Sequence, residues 1–278
     1  MAEIVSVIAL SHAPGATGWL DKAPKHEQDA LLAGYAGMGE AFRATRPDVI
    51  VGVANDHLLN FPMETIPDWC VGTAERWRGP AEWFRDWVNI PVYEVAGHRE
   101  LARHIVRESS RRGFNLAFSD KLEFDDNWSV PLKFVTPAYD VPLVPIHMNC
   151  VMPPLPHPER CHEFGRALAE AIRAWRSNQR IAIMATGGLS HDPGGPKYFA
   201  VDEKFDRWFL ELLGTGDPQR VLREVTIEKM IAAGDGGTVE LLAWLVAMGA
   251  AGRRPAKTHF YVPSVPLRCG MGGVSWAL

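Results

Sequence analysis

Three histidines in this chain follow segments with the apolar, β-branched composition of buried strands. They are His12 after Ile4–Leu10, His57 after Val49–Val53, and His191 after Ile181–Ala185. An imidazole changes its charge near neutral pH, and it is also the commonest metal ligand in proteins. Side chains of this type at three strand ends indicate a site that binds a metal, transfers protons, or does both.

Each histidine taken alone also has an ordinary structural explanation, as a helix cap or as a hydrogen-bonded residue of the core. Gly187 and Gly188, just before His191, let a backbone pass close to another group, and a plain tight turn explains them equally well. The three histidines together are stronger evidence for a functional site than any one of them alone. Ligands of open α/β sheets gather beyond the carboxyl ends of the strands, so the three histidines are expected to converge in one crevice.

A carboxylate would complete such a site, because two histidines and one carboxylate on one face leave open positions that suit Fe(II). Glu240 is the candidate. It lies in the apolar segment TVELLAWLVAMGA, where a carboxylate is costly unless it is paired or bound to a metal. The alternative is that Glu240 faces solvent near a helix N-terminus, where the helix dipole favours an acid. The residues alone leave both interpretations open.

The elements that must position these residues alternate between strands and helices. The predicted strands are Ile4–Leu10, Val49–Val53, Asn115–Phe118, Leu143–His147 and Ile181–Ala185. The predicted helices are His26–Thr45, Glu100–Arg112, Cys161–Arg176, Glu203–Leu213, Pro218–Glu224 and Thr238–Met248. This alternation predicts a single α/β domain over residues 1–278, a three-layer α/β/α fold with a central mixed sheet and helices on both faces.

Composition excludes several classes of protein. The 278 residues are 47% hydrophobic and 22% charged, without an apolar run long enough to span a membrane. A net charge of −4 gives no general attraction to phosphate backbones, so we expect no nucleic-acid partner. The N-terminal segment MAEIVSVIAL lacks the features of a signal peptide, and the four cysteines form no CxxC pair. We therefore expect a cytoplasmic protein with reduced thiols.

Four segments, in order along the chain, resemble the signatures of class III extradiol ring-cleavage dioxygenases. They are SHAPG at 11–15, NDH at 55–57, TGGLSH at 186–191 and VELLAWL at 239–245. The resemblance covers nearly the whole chain and is strongest to the pattern of the catalytic β-subunit of protocatechuate 4,5-dioxygenase. It extends to flanking segments such as IPDWCVGTAE at 66–75 and HFYVPS at 259–264.

The resemblance implies a function and a role for each residue of the set. His12, His57 and Glu240 would hold a non-haem Fe(II), and His191 would act as the catalytic base. The substrates would be O2 and an aromatic vicinal diol of the catechol, gallate, protocatechuate or dihydroxypyridine type. Which diol is cleaved is not determined by the resemblance.

One departure from the family pattern lies in the segment FDDNWSVPL. Matching on VPL places Asp126, with Asn127 beside it, where the β-subunit pattern has a second active-site histidine. Asp126 could donate a proton only if its pKa were raised, and Asn127 could hydrogen-bond but not act as an acid. We expect activity to be retained with an altered substrate preference. Arg268 is the candidate cation for a substrate carboxylate.

The segment Leu59–Trp87 is rich in tryptophan and proline and is predicted to be an ordered connection that lines the site. The candidates for the walls of a ring pocket are Trp69, Trp77, Trp83, Phe84, Trp87 and Trp128. Ordinary core packing explains at least half of these aromatic residues.

Two other functions use the same residues. A metal-dependent hydrolase, with zinc as the expected metal, could employ two histidines and a glutamate with His191 as general base. A non-catalytic interaction protein of the same superfamily would bind no metal. We further expect a homo-oligomer, and the resemblance leaves open whether a small accessory subunit caps the site.

Overall fold

A mixed eight-stranded sheet forms the centre of the structure, a computed structural model that describes residues 1–278. The strands are β1 (Glu3–Leu10), β2 (Val49–Asn55), β3 (Trp69–Gly72), β4 (Arg76–Gly79), β5 (Tyr93–Ala96), β6 (Ala117–Ser119), β7 (Leu143–Met148), β8 (Arg180–Thr186), β9 (Ala256–Ser264) and β10 (Cys269–Trp276). Their order across the sheet is β6-β3-β7-β2-β8-β1-β10-β9, while β4 and β5 pair separately.

The middle of the sheet is parallel, and its flanks introduce the antiparallel pairs. Strands β7, β2, β8 and β1 run in the same direction. Every residue of β2 and β7 is buried, as expected for parallel strands covered on both faces. On the flanks, β3 is antiparallel to β7 and β10 is antiparallel to β1. The mixed sheet predicted from the sequence is confirmed.

Helices cover both faces of this sheet. They are α1 (Gly15–Gly18), α2 (Lys25–Ala44), α3 (Arg85–Val88), α4 (Arg99–Ser110), α5 (Asp126–Val135), α6 (Pro158–Arg173), α7 (Glu203–Gly214), α8 (Pro218–Glu224), α9 (Ile227–Ala233) and α10 (Leu241–Ala251). Helices α4, α6 and α10 pack on one face, and α2 and α5 pack on the other, so that two hydrophobic clusters sandwich the sheet. The predicted three-layer α/β/α fold is confirmed.

The structure contains elements that the sequence pattern did not predict. The C-terminal hairpin of β9 and β10 carries Pro263 and several glycines, which depress strand propensity. Helix α5 contains Pro131, a residue that ordinarily interrupts a helix. The predicted helix Thr238–Met248 begins as a short 3₁₀ turn over Thr238–Glu240 and becomes α10 at Leu241.

Two further features bear on the composition-based expectations. All four cysteines are buried and unpaired. None of the helices combines the length and the hydropathy that crossing a bilayer requires.

Candidate active site

The three histidines follow three neighbouring parallel strands. In the sheet β2, β8 and β1 are adjacent, and the register pairs Leu10 with Thr186 at the carboxyl ends of β1 and β8. Side chains just beyond these ends therefore meet at one edge of the sheet. The structure brings His12, His57 and His191 into one crevice there.

Glu240 joins this cluster from the 3₁₀ turn that precedes α10. Its Oε2 lies 3.1 Å from His12 Nε2, and its Oε1 lies 2.7 Å from His57 Nε2. One donor atom from each of the three residues lies within 4.8 Å of the others. Glu240 is 1% exposed, so it faces the crevice rather than solvent.

Hydrogen bonds at Nδ1 orient both imidazoles so that their Nε2 atoms point toward Glu240. The Thr186 hydroxyl donates to the backbone carbonyl of Asn127 at 2.9 Å, which leaves it to accept from His12 Nδ1 at 3.0 Å. Asp125 Oδ2 accepts from His57 Nδ1 at 3.0 Å. Metal-binding histidines characteristically carry such a partner on the second ring nitrogen, because it sets the tautomer and the ring orientation.

The buried His12 Nε2 provides the test of whether a cation fits here. This atom is inaccessible to solvent, and although Glu240 Oε2 lies 3.1 Å away, the two atoms are not aligned as a hydrogen bond. A buried polar atom left without a partner is costly. His12 Nε2, His57 Nε2 and the Glu240 carboxylate converge on one another as a donor set for a divalent metal, and the residues fit Fe(II).

The charges in the cluster are strongly coupled. Burial alone would raise the pKa of Glu240, but the neighbouring His12 and His57 outweigh it and hold that pKa well below its usual range. Burial would lower the pKa of His57, but the nearby carboxylates raise it well above its usual value. Protons therefore compete with a metal for these nitrogens, and binding a metal releases them. Asn55 Nδ2 and Gly188 N–H also donate to Glu240, at 3.1 and 2.8 Å.

His191 lies beside the cluster with a different environment. Its Nδ1–H donates to the backbone carbonyl of Leu189 at 2.9 Å, and its Nε2 lies 3.7 Å from Glu240 Oε2. Burial, the largest effect, lowers the pKa of His191 below its usual value. A lowered pKa leaves the imidazole neutral at pH 7, with a free Nε2 lone pair that can accept a proton.

The paired glycines before His191 are explained by close approach. A Cβ at Gly188 would lie 2.4 Å from His191 Cε1, and one at Gly187 would lie 2.9 Å from Glu240 Cβ. Neither glycine has a positive φ, so the backbone passage next to the site, rather than a left-handed turn, requires them.

A buried carboxylate anchors the loop that carries His191. Asp206, on α7, is 0% exposed and accepts from Ser190 N at 2.7 Å and Ser190 Oγ at 2.8 Å. The Tyr261 hydroxyl also donates to it, at 2.8 Å. These bonds hold the residue next to His191 against α7 and β9, which limits how far the imidazole can move.

Asp126 and Asn127 have different surroundings although they are adjacent. Asp126 lines the cavity with its Oδ1 3.5 Å from His57 Nδ1, and burial raises its pKa above the usual range. Asn127 does not line the cavity, because its Nδ2 donates to the backbone carbonyl of Asn55 at 3.0 Å. The geometry therefore gives Asn127 a supporting position, and its own carbonyl accepts from the Thr186 hydroxyl.

A cavity of about 270 Å³ opens over the cluster. Of the six aromatic residues considered as its walls, Trp83, Phe84 and Trp87 line it. The other three, Trp69, Trp77 and Trp128, are buried in the core. Trp19, Tyr198 and Arg268 also line the cavity.

Several supporting residues were not identified from the sequence. Asp125 accepts the hydrogen bond from His57. Asp56, which directly precedes His57 in the sequence, is hydrogen-bonded to His147 and Asn60 instead. The acidic pair in FDDNW was a usable signal for Asp125, since it directly precedes a residue already matched to the site. Thr186 is the first residue of the TGGLSH segment, but its residue type alone did not indicate a hydrogen bond to His12.

Comparison with known proteins gives one family match and several relatives. The family model described as the catalytic LigB subunit of aromatic ring-opening dioxygenase matches residues 6–268. A gallate dioxygenase from Pseudomonas putida is 31% identical over 176 residues, covering 62% of this chain and 51% of the relative. A 2,3-dihydroxyphenylpropionate/2,3-dihydroxicinnamic acid 1,2-dioxygenase from Escherichia coli is 32% identical over 231 residues, covering 81% of this chain and 68% of the relative. The chain thus spans about half the length of the gallate dioxygenase that it matches.

The fold also occurs in a solved structure. A crystal structure of an uncharacterized protein from Escherichia coli K12 matches with a TM-score of 0.60 and 17% identity, covering 98% of this chain and 99% of that chain. At this level of identity the likeness supports the fold alone, because one fold hosts many functions.

Proposed function

Because the chain belongs to the family of catalytic LigB subunits of aromatic ring-opening dioxygenases, we propose that it is an extradiol dioxygenase that cleaves an aromatic vicinal diol with O2 and uses Fe(II). The observation that carries the proposal is the convergence of His12, His57 and Glu240, with both imidazole Nε2 atoms directed at the carboxylate. Family membership favours ring opening over the hydrolase and interaction-protein alternatives.

His12, His57 and Glu240 are the residues that would hold the metal. Two neutral imidazoles and one carboxylate leave open coordination positions, and the ligands come from rigid strand ends and a buried turn. When bound there, Fe(II) would supply the redox chemistry that lets a diol and triplet O2 react. Asp125 and Thr186 support the site by orienting the two rings.

His191 is the proposed base. Its neutral Nε2 faces the crevice, and its Nδ1 is committed to the Leu189 carbonyl. It can therefore accept a proton from a diol hydroxyl at Nε2 without rotating. Asp126 lines the cavity beside His57, and its raised pKa supports a second role in which a protonated carboxyl donates.

The test of this proposal is oxygen uptake by protein reconstituted with Fe(II) under anaerobic conditions. Catechol, protocatechuate, gallate, 2,3-dihydroxyphenylpropionate and 3,4-dihydroxypyridine would be supplied in turn, with ring opening followed by absorbance. We expect uptake with at least one diol and none with the matching monophenol, which cannot chelate through two oxygens. Absence of uptake with every diol, on protein that holds its iron, would refute the proposed activity.

Asp126→His is predicted to change the ranking of substrates on the same panel. Neither protonation state of Asp126 provides a positive charge, and its ionised form repels a nearby carboxylate, whereas a histidine can attract one. Turnover of protocatechuate relative to catechol should rise roughly tenfold in the variant, the scale of one charge-assisted contact. If protocatechuate is already the best substrate of the unaltered protein, then Asp126 in place of the family's histidine has no effect on substrate preference, and this prediction is wrong.

The named substrates of the two relatives, gallate and 2,3-dihydroxyphenylpropionate, both carry a carboxylate and neighbouring hydroxyls. We propose the same broad class for this chain. The homo-oligomeric state, the cytoplasmic location and a small accessory subunit stay predictions from the sequence.

A further inference from the structure

Arg268 contributes the one arginine or lysine side chain to the wall of the cavity. It lies in the turn between β9 and β10, directly before Cys269. Its φ is 64°, in the left-handed region that an arginine rarely occupies. Backbone strain of this kind tends to persist where the surrounding structure holds a side chain in a required place.

The Arg268 guanidinium has no anionic partner within the chain. It forms no salt bridge, and its side chain donates to one neutral acceptor, the Tyr198 hydroxyl. Its Nε is buried without any hydrogen-bond partner. A guanidinium carries five N–H donors and cannot lose its charge, so a partly buried one with free donors is an incomplete arrangement.

Aromatic rings hold this cation in position. The guanidinium carbon lies 4.5 Å from the ring centre of Tyr198, 5.1 Å from that of Trp19 and 5.3 Å from that of Phe199. Such rings attract a cation while excluding water, which strengthens its interaction with any anion that enters. The cage also restricts the side chain, so little conformational freedom is lost when it binds a ligand.

The acids of the cavity lie at its metal-binding end, where Asp125 and Asp126 both flank His57. An anionic substituent next to them would be repelled, whereas the same substituent at Arg268 would complete a charge-assisted pair. The volume of about 270 Å³ is at the low end for ligand pockets and suits one aromatic ring with a short side chain.

We infer that Arg268 is the specificity-determining residue that binds a carboxylate of the substrate. The substrate class is then an aromatic vicinal diol with a carboxylate on the ring or on a short side chain. The inference rests on the proposed function for the diol, but the carboxylate site itself can be tested without turnover.

The first experiment measures binding of benzoate and of benzamide by calorimetry, on the iron-loaded protein under anaerobic conditions. These ligands are nearly the same shape, differ in charge, and lack the diol. The unaltered protein should bind benzoate at least tenfold more tightly than benzamide, and Arg268→Gln should remove this difference. Arg268→Lys keeps the charge but not the planar fork and should fall between them.

The matched control is Arg85→Gln, because Arg85 is an exposed arginine on α3 that does not line the cavity. It removes the same charge from the protein, so it should leave the preference for benzoate unchanged. Equal binding of the two ligands by the unaltered protein, or an Arg268→Gln variant that keeps the preference, would overturn the inference. Thermal unfolding of each variant verifies that it is folded. If Arg268→Gln does not fold, the benzoate preference of Arg268→Lys is compared with that of the unaltered protein instead.

The second experiment measures kcat/KM for the best-cleaved diol acid and for its methyl ester. Arg268→Gln should lower the value for the acid roughly ten- to hundredfold and leave that for the ester within about threefold. Equal losses for acid and ester would contradict a carboxylate site. If no diol is cleaved while benzoate binding still depends on Arg268, the proposed activity fails and the carboxylate site stands.

Discussion

His57→Ala is expected to abolish stoichiometric iron binding while leaving the protein folded. The imidazole supplies one of two nitrogen donors to a site with a single carboxylate, and no other histidine or cysteine belongs to the cluster of His12, His57 and Glu240. Loss of an outer partner of a metal ligand typically costs 10- to 100-fold in affinity, and loss of the ligand itself should cost more.

The fold should survive because His57 lies outside both hydrophobic clusters and its side chain is 30% exposed. Some stability should be lost, since the buried Asp125 carboxylate would lose its imidazole partner and Glu240 would lose one of its two. The measurements are metal content after anaerobic reconstitution and the thermal unfolding temperature. His157→Ala is the matched control, because that imidazole is 67% exposed and belongs to neither group of possible metal ligands. A His57→Ala protein with one tightly held iron would contradict the assignment.

His191→Phe is expected to keep the iron and to lose roughly two to four orders of magnitude in turnover, the usual contribution of a positioned acid–base group. The phenyl ring occupies a similar volume but offers no lone pair to accept a proton. His191 Nε2 lies 3.7 Å from Glu240, so the side chain is next to the cluster without belonging to its three donors.

The measurement pairs metal content with single-turnover kinetics on the best diol. Diol binding should be retained within about tenfold, so that the loss lies in the chemical step rather than in affinity. His191→Ala tests whether the bulk of the phenyl ring causes the loss, because it should be impaired to a similar extent. If iron leaves the protein with the imidazole, His191 is a ligand and its assignment as base is wrong.

The sequence was sufficient for the parts of the site that depend on strand order. Apolar strands followed by His12, His57 and His191 indicated one crevice, and β2, β8 and β1 do lie side by side. It was not sufficient for Glu240, whose burial depends on how the turn before α10 packs under the sheet edge. The apolar segment around it was equally compatible with a solvent-facing acid at a helix N-terminus.

The supporting hydrogen bonds could not be predicted because they join residues far apart in the chain. Thr186 meets His12 across 174 positions, and Asp125 meets His57 across 68. Asp206, the anchor of the His191 loop, lies 16 positions beyond Ser190 on α7. Arg268 was suggested by its charge alone, and its aromatic cage depends on residues from two segments that are distant from it in the chain.

The central claim is that His12, His57 and Glu240 form an iron site for ring opening, and the most direct test compares Fe(II) with Zn(II) in the same protein. Each metal would be loaded anaerobically to one equivalent, and the best diol and a known amount of O2 then added. We predict that the iron form consumes one O2 for each diol opened, and that the zinc form binds the diol without consuming O2. Diol conversion by the zinc form, or conversion by the iron form without oxygen uptake, would contradict the account.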